Sequence, residues 1–123
     1  MNLGEKQKLF PLLVNKLIAY AYSQGYSLTY GETWRSPETA ALYAKQGKGI
    51  AKSLHSLRIA VDFNLFQGET YLTQSEDYEA LGKYWEGLSE EGLVCCWGGR
   101  FKGSKGNPKP DGNHFSIEHE GRK

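Results

Sequence analysis

Ile59-Ala60-Val61-Asp62-Phe63-Asn64-Leu65-Phe66 alternates in extended chain: Ile59, Val61, Phe63 and Leu65 share one face, Ala60, Asp62 and Asn64 the other. Such a stretch reads as a strand with one side in a core and one side polar. Downstream, Gln67-Gly68 makes a turn into a short strand around Tyr71. Thr73 with Glu76 then has the spacing of a capping box, and Tyr78, Leu81, Tyr84, Trp85 and Leu88 carry an apolar helical face toward Gly92. Leu93 to Trp97 reads as a strand, 98–113 as a long loop rich in Gly, Pro and Lys, and His114 to Glu118 as a last strand.

Upstream, Phe10, Leu13, Val14, Leu17, Ile18 and Ala21 have the spacing of an amphipathic helix over Lys8 to Ser23, with Gly25 as its stop. Tyr26 to Thr33 alternates as a half-buried strand. Ser36-Pro37-Glu38 supplies an N-cap, a first-position proline and an acid for a helix reaching about Gln46, and 47–56 is a polar loop. Helices and strands mix without strict alternation. The expected class is therefore α+β: one domain over 1–123, a small, largely antiparallel sheet with helices packed on it.

Composition narrows the function. The 123 residues are 39% hydrophobic and 24% charged, enough for a real core. Fifteen Lys+Arg against fourteen Asp+Glu give a net charge of +1, which argues against a nucleic-acid partner. No run approaches the ~18–20 apolar residues of a membrane span. The start, Met1-Asn2-Leu3-Gly4-Glu5-Lys6, lacks the pattern of an export signal, so synthesis in a cytosol is expected. Adjacent Cys95 and Cys96 point to opposite faces of a strand and read as buried thiols, without a disulfide framework.

Three features carry possible chemistry, and each has a plainer reading. Ser53-Leu54-His55 precedes Asp62 by seven residues, although an acid on the open face of an antiparallel sheet is common. Pro110-Asp111-Gly112-Asn113-His114-Phe115 combines an acid and a histidine, although Pro-Asp-Gly-Asn is also turn chemistry, with Gly112 expected at positive φ. Such a turn could bring Asp111 and His114 to one side. Arg35 in Trp34-Arg35-Ser36 sits between a strand and a helix, where a surface ion pair is the ordinary outcome.

Together the three make more. Two histidines and one carboxylate are the ligand set of a catalytic zinc site with a position left for water. A second carboxylate could move a proton, for which Asp111 is available, and an arginine could stabilise an oxyanion. His119 is the competing third histidine, and its neighbours Glu118 and Glu120 suggest an exposed tail.

Ser53-Leu54-His55 through Asp62, then Trp97-Gly98-Gly99, then Asp111-Gly112-Asn113-His114-Phe115, resembles the zinc D-alanyl-D-alanine carboxypeptidase and L-alanyl-D-glutamate peptidase family. Its pattern is S-x-H, six residues, D, then W-G-G and a late D-x-x-H, and Arg35 matches its arginine motif. The resemblance runs from about Glu32 to Ile117. It implies that His55, Asp62 and His114 hold Zn2+, that Asp111 is the general base and acid, that Arg35 binds the scissile carbonyl oxygen, that Ser53 supports site or substrate, and that Trp97 shapes the pocket floor. The implied substrate is a peptidoglycan stem peptide.

The family usually has glycine where Arg58 stands, glutamate where Ser116 stands, and a glutamine in the helix near Thr39 and Ala40. An extended seven-residue separation would put His55 ~23 Å from Asp62, so the chain must bend near 56–58. The expected protein is a monomeric cell-wall peptidase of the phage or prophage endolysin kind, made in the host cytoplasm and acting on the wall. The alternative is a non-catalytic peptidoglycan-binding or virion structural domain that keeps fold and zinc. The lysines at 102, 105 and 109 form a basic flap that could meet an anionic wall.

Overall fold

The strand read from Ile59 to Phe66 is the centre of the sheet. The computed structural model describes residues 1–49 and 52–123; the expected polar loop over 47–56 includes the two positions outside that range. Helix α1 (Leu3–Ser23) is followed by strand β1 (Ser27–Tyr30), helix α2 (Pro37–Lys45), and strands β2 (Ala60–Gln67) and β3 (Thr70–Leu72). A 3-10 turn (Ser75–Tyr78) leads into helix α3 (Glu79–Glu86). Strand β4 (Cys95–Trp97), a second 3-10 turn (Gly98–Arg100) and strand β5 (His114–Ile117) complete the order. The class is α+β, as expected.

All pairings are antiparallel, in the order β1-β2-β5-β4, with β3 also on β2. The two faces of β2 separate as its sequence predicts from Val61 onward, while Ala60, on the face of Asp62, is buried beside Ser116. Val61, Phe63 and Leu65 are buried, while Asp62, Asn64 and Phe66 are half-buried on the opposite face. The core forms where Phe10, Leu13, Val14, Leu17 and Ala21 of α1 and Leu81 and Trp85 of α3 meet the inner face of the sheet. Trp85 is its hub. Its ring meets Phe10 and Phe115 edge-on at centroid distances of 5.8 and 6.1 Å, and its indole N–H donates to the Ser116 carbonyl at 3.0 Å.

Several boundaries differ from the sequence reading for local reasons. Helix α1 starts five residues before Lys8 because Asn2 and Glu5 form a reciprocal capping box, and the helix then continues through Pro11. The later cap is shifted by one: Gln74, not Thr73, is the N-cap, and its N–H donates to Asp77 at 3.0 Å. Helix α3 stops at Glu86 instead of nearing Gly92. Glu90 and Leu93 exchange backbone bonds across a tight turn that holds Gly92 at φ 78°, returning the chain into β4. Strands β1 and β4 are shorter than their apolar runs. The 98–113 loop is pinned by a Lys102–Pro108 bridge and by Lys109 N–H on the Phe101 carbonyl at 2.9 Å.

Trp97 joins this frame to the loop before β5. Its ring lies against Gly82 and Gly99, where an added Cβ would fall 2.1 and 2.3 Å from ring atoms. Its indole N–H donates to the Gly112 carbonyl at 2.7 Å. No helix among the described residues is long and apolar enough to cross a membrane.

The bend required between His55 and Asp62 is made at Arg58, which takes φ 63°. That left-handed conformation costs an L-residue about 1–2 kcal/mol relative to glycine. Part is offset by the Arg58 guanidinium lying 4.9 Å from the centroid of the Trp34 ring, a contact worth about 0.5–1 kcal/mol at an exposed site. Arg58→Gly is therefore expected to leave stability unchanged or raise it by up to about 1 kcal/mol, whereas β-branched Arg58→Val lowers it by about 1–2 kcal/mol. Urea unfolding of the two variants checks this, and equal losses for both would contradict the strain.

Candidate active site

Strand register makes the first contact of the site. Asp62 and His114 are direct partners in the β2–β5 ladder, so their side chains stand together on the face away from the core. Asp62 Oδ1 lies 3.3 Å from His114 Nδ1. The bend at Arg58 delivers His55 to the same carboxylate, with Nε2 at 3.4 Å from Oδ1. One ligand atom from each of the three residues lies within 4.8 Å of the others.

These donors fit a metal ion better than they fit one another. Tetrahedral bonds of about 2.0–2.1 Å separate neighbouring ligand atoms by about 3.3–3.4 Å, which is how Asp62 Oδ1 stands from each ring. That oxygen is buried and accepts no hydrogen bond among the described residues. A buried carboxylate oxygen without a donor is costly unless a cation occupies the space beside it. The ring of His55 is set by its other nitrogen, Nδ1, 3.3 Å from the Thr33 carbonyl; the tautomer with hydrogen on Nδ1 leaves Nε2 free to ligate. Ser53 sits beneath: its hydroxyl accepts from the His55 N–H at 3.1 Å, so it shapes the turn that carries His55.

Asp111 and Arg35 line the same cleft as the three residues. A backbone turn closes between the Asp111 carbonyl and the His114 N–H at 3.1 Å, and Asp111 N–H donates to Gly98 at 2.8 Å. The turn is the expected one, but Gly112 does not have positive φ. Glycine is needed there for space, since a Cβ would lie 2.5 Å from Ser75 Cα. Gly98 is tighter still: a Cβ would lie 2.0 Å from the Asp111 carbonyl oxygen. Trp97, 5% exposed, belongs largely to the core and holds this turn through Gly112.

Arg35 forms an ion pair, as its plainer reading anticipates, but a partly buried one at the site. Glu32 pairs with its guanidinium, Tyr43 lies under it at 5.2 Å, and Nε is buried without a hydrogen-bond partner among the described residues. Glu32 is the residue that sequence reasoning missed. Its Oε1 is 3.8 Å from His55 Nε2, and its carbonyl accepts from Asp62 N–H at 2.8 Å. The available signal was an acid three residues before the arginine. His119 is not an exposed tail: it is half-buried, 3.2 Å from the Lys6 ammonium, and outside the cluster. Cys95 and Cys96 are free and buried, and burial pushes the Cys95 thiol up to about 11.

Residues 46–117 match the family model for D-alanyl-D-alanine carboxypeptidase. The chain belongs to this peptidase family. That match contains His55, Asp62, Asp111 and His114, and leaves Arg35 outside. Among solved structures, the L-Ala D-Glu endopeptidase ChiX of Serratia marcescens has a similar fold, with a TM-score of 0.67 and 22% identity over 94% of this chain and 85% of that one. No curated protein matches significantly.

The carboxylates of this family member are tuned in opposite directions. Burial alone would raise Asp62, but the adjoining rings of His114 and His55 favour its charged form, overcome burial and lower its pKa to about 2. For His55, burial opposes protonation, yet Asp62, Glu32 and the Thr33 carbonyl outweigh it and raise the pKa above 6.5. Asp111 is raised. Lost solvation of its carboxyl and the charge of Asp62 prevail over His114, His55 and Arg35.

In the metal-free protein, the Asp62 contribution to stability is complete above pH 3.8 and is lost as pH falls through about 2. The His55 contribution is complete below pH 6.5 and is lost as pH rises through its folded value. A metal requires the neutral ring, so binding at pH 6.5 should release a proton from His55 and affinity should increase with pH above that point. Calorimetry in two buffers of different ionisation enthalpy measures this. Proton-free binding at pH 6.5 would contradict it.

Proposed function

We propose that this chain is a zinc-dependent peptidase of peptidoglycan stem peptides, of the phage or prophage endolysin kind, in which His55, Asp62 and His114 hold the ion. The observation that carries this reading is the convergence of those three side chains with Asp111 and Arg35 on one cleft. The peptidase family to which the chain belongs gives the reaction class, and the name of the Serratia structure, an L-Ala D-Glu endopeptidase, suggests the kind of bond.

Zinc in this ligand set would supply Lewis-acid polarisation and a lowered water pKa, because two neutral rings and one carboxylate leave the centre net positive. The chain's own groups perform the rest. Asp111 accepts a proton from the attacking water and returns it to the leaving nitrogen as the C–N bond breaks; its raised pKa suits both directions of transfer. Arg35, with a buried Nε–H that no acceptor satisfies among the described residues, meets the charge that develops on the carbonyl oxygen. Glu32 and Tyr43 hold that guanidinium still, which spares the reorganisation that water would require. Ser53 and Trp97 act on the two sides of the site as supports of the His55 turn and the Asp111 turn.

A carboxylate that lines the cleft of the ligand cluster, is raised in pKa and has no side-chain hydrogen bond among the described residues favours catalysis over a binding module that retained only the metal. Asp111→Ala should therefore keep the fold and one zinc per chain while losing about 10²–10⁴-fold in hydrolysis of purified peptidoglycan. The assay is mass spectrometry of released fragments, with and without chelator, and fragment masses name the bond. Loss of zinc together with activity would remove Asp111 from the proton-transfer role. Zinc binding without any wall cleavage by the unsubstituted protein would favour the binding-module reading.

A further inference from the structure

The charge of the chain is close to zero, but it is not evenly spread. The cleft that contains His55, Asp62 and His114 has a volume of about 1200 Å³. Among the described residues, seven of its lining side chains are Lys or Arg, and three are Asp or Glu. Of those acids, Asp62 belongs to the ligand cluster, Asp111 lines the cleft with it, and Glu86 is paired with Arg100 through two bonds of 3.1 Å. Arg35 is held by Glu32. Lys48, Lys102 and Lys109 also line the cleft, and none has a carboxylate partner among the described residues.

These three ammonium groups come from two walls. Lys48 follows α2, on the side of Arg35. Lys102 and Lys109 are carried on a separate hairpin, where the Lys102–Pro108 bridge and the Lys109 bond to Phe101 hold the backbone in place. Arg122 adds a further cation, anchored by a 2.8 Å bond from its guanidinium to the Lys52 carbonyl. Cations on low-dielectric walls around one concavity reinforce one another's field and concentrate anions inside it. A resident metal adds positive charge to this field and does not cancel it.

We propose that Lys48, Lys102 and Lys109 make the cleft selective for stem peptides that carry free carboxylates beside the scissile bond, and that it discriminates against the same peptides with those carboxylates amidated. The inference rests on the peptidase reading and narrows its substrate class. A glutamate joined to the next residue through its side chain keeps an α-carboxylate that an ammonium can meet by a charge-assisted hydrogen bond. Amidation keeps the size of that group, removes its charge and leaves the lysine without an ionic partner. A compact, isolated carboxylate also suits cations gathered on one concavity better than a regular phosphate backbone does.

The test uses two synthetic stem tetrapeptides that differ only in a free or amidated glutamate α-carboxylate. Their kcat/KM is measured on the zinc-loaded protein, and their affinity is measured by calorimetry on zinc-loaded Asp111→Ala. The free acid should be cut at about tenfold higher kcat/KM and bound about tenfold more tightly. That preference should fall toward unity in a Lys48→Gln/Lys109→Gln variant and at about 0.5 M salt. Equal affinity for the two peptides, or no binding of either, would overturn the proposal, as would tighter binding of a short single-stranded oligonucleotide. A tenfold binding preference with neither peptide cut would uphold the selectivity and count against the hydrolytic reading instead.

Discussion

The pairing of Asp62 with His114 across β2 and β5 is the contact on which the rest of the site depends. In an antiparallel ladder the two residues stand side by side on one face, and their neighbours Val61, Phe63 and Phe115 must then point into the core. A slip of one residue in either strand would turn its polar group into the core and expose its aromatic ring. The Trp85 hub, in contact with Phe115 and bonded to the Ser116 carbonyl, therefore secures the register that makes the site. Core packing and site geometry are two sides of the same strand pair.

Everything else in the site is brought to that pair by local turns. His55 arrives through a left-handed Arg58, with its ring aimed by Thr33. Asp111 arrives through a turn whose glycine is chosen for closeness to Ser75, while Trp97 clamps the same turn from below. Arg35 leaves the end of the β1 segment and is steadied by Glu32, whose backbone is itself bonded to Asp62. Each device is a backbone constraint of small size. Their combined result is a set of side chains held on a rigid sheet, which is what metal binding and charge stabilisation both require.

Periodicity made much of this legible. The alternation about Asp62 gives the central strand and its two faces, and the spacing of Phe10 through Ala21 gives the buried side of α1. The motifs around His55, Asp62, Asp111 and His114 name residues that lie on one cleft. The first turns of α1 escaped because an apolar pattern is silent where the helix is held by a polar cap, here Asn2 with Glu5. The cap before α3 was off by one because Thr73 and Gln74 offer alternative starts with an acid three residues later. Glu32 escaped for a different reason. Its importance comes from contacts with His55 and Asp62 that only the folded register creates, and the local signal, an acid three residues before Arg35, is equally that of an ordinary surface ion pair.

The central claim is that His55, Asp62 and His114 form one metal-binding unit, centred on an Asp62 oxygen that has no hydrogen-bond donor among the described residues. The most direct test is a calorimetric zinc titration of the metal-free protein beside Asp62→Ala, with circular dichroism to establish that both are folded. The account predicts one zinc per chain for the unsubstituted protein and loss of high-affinity binding in the folded variant. Unchanged stoichiometry and affinity in Asp62→Ala would contradict it.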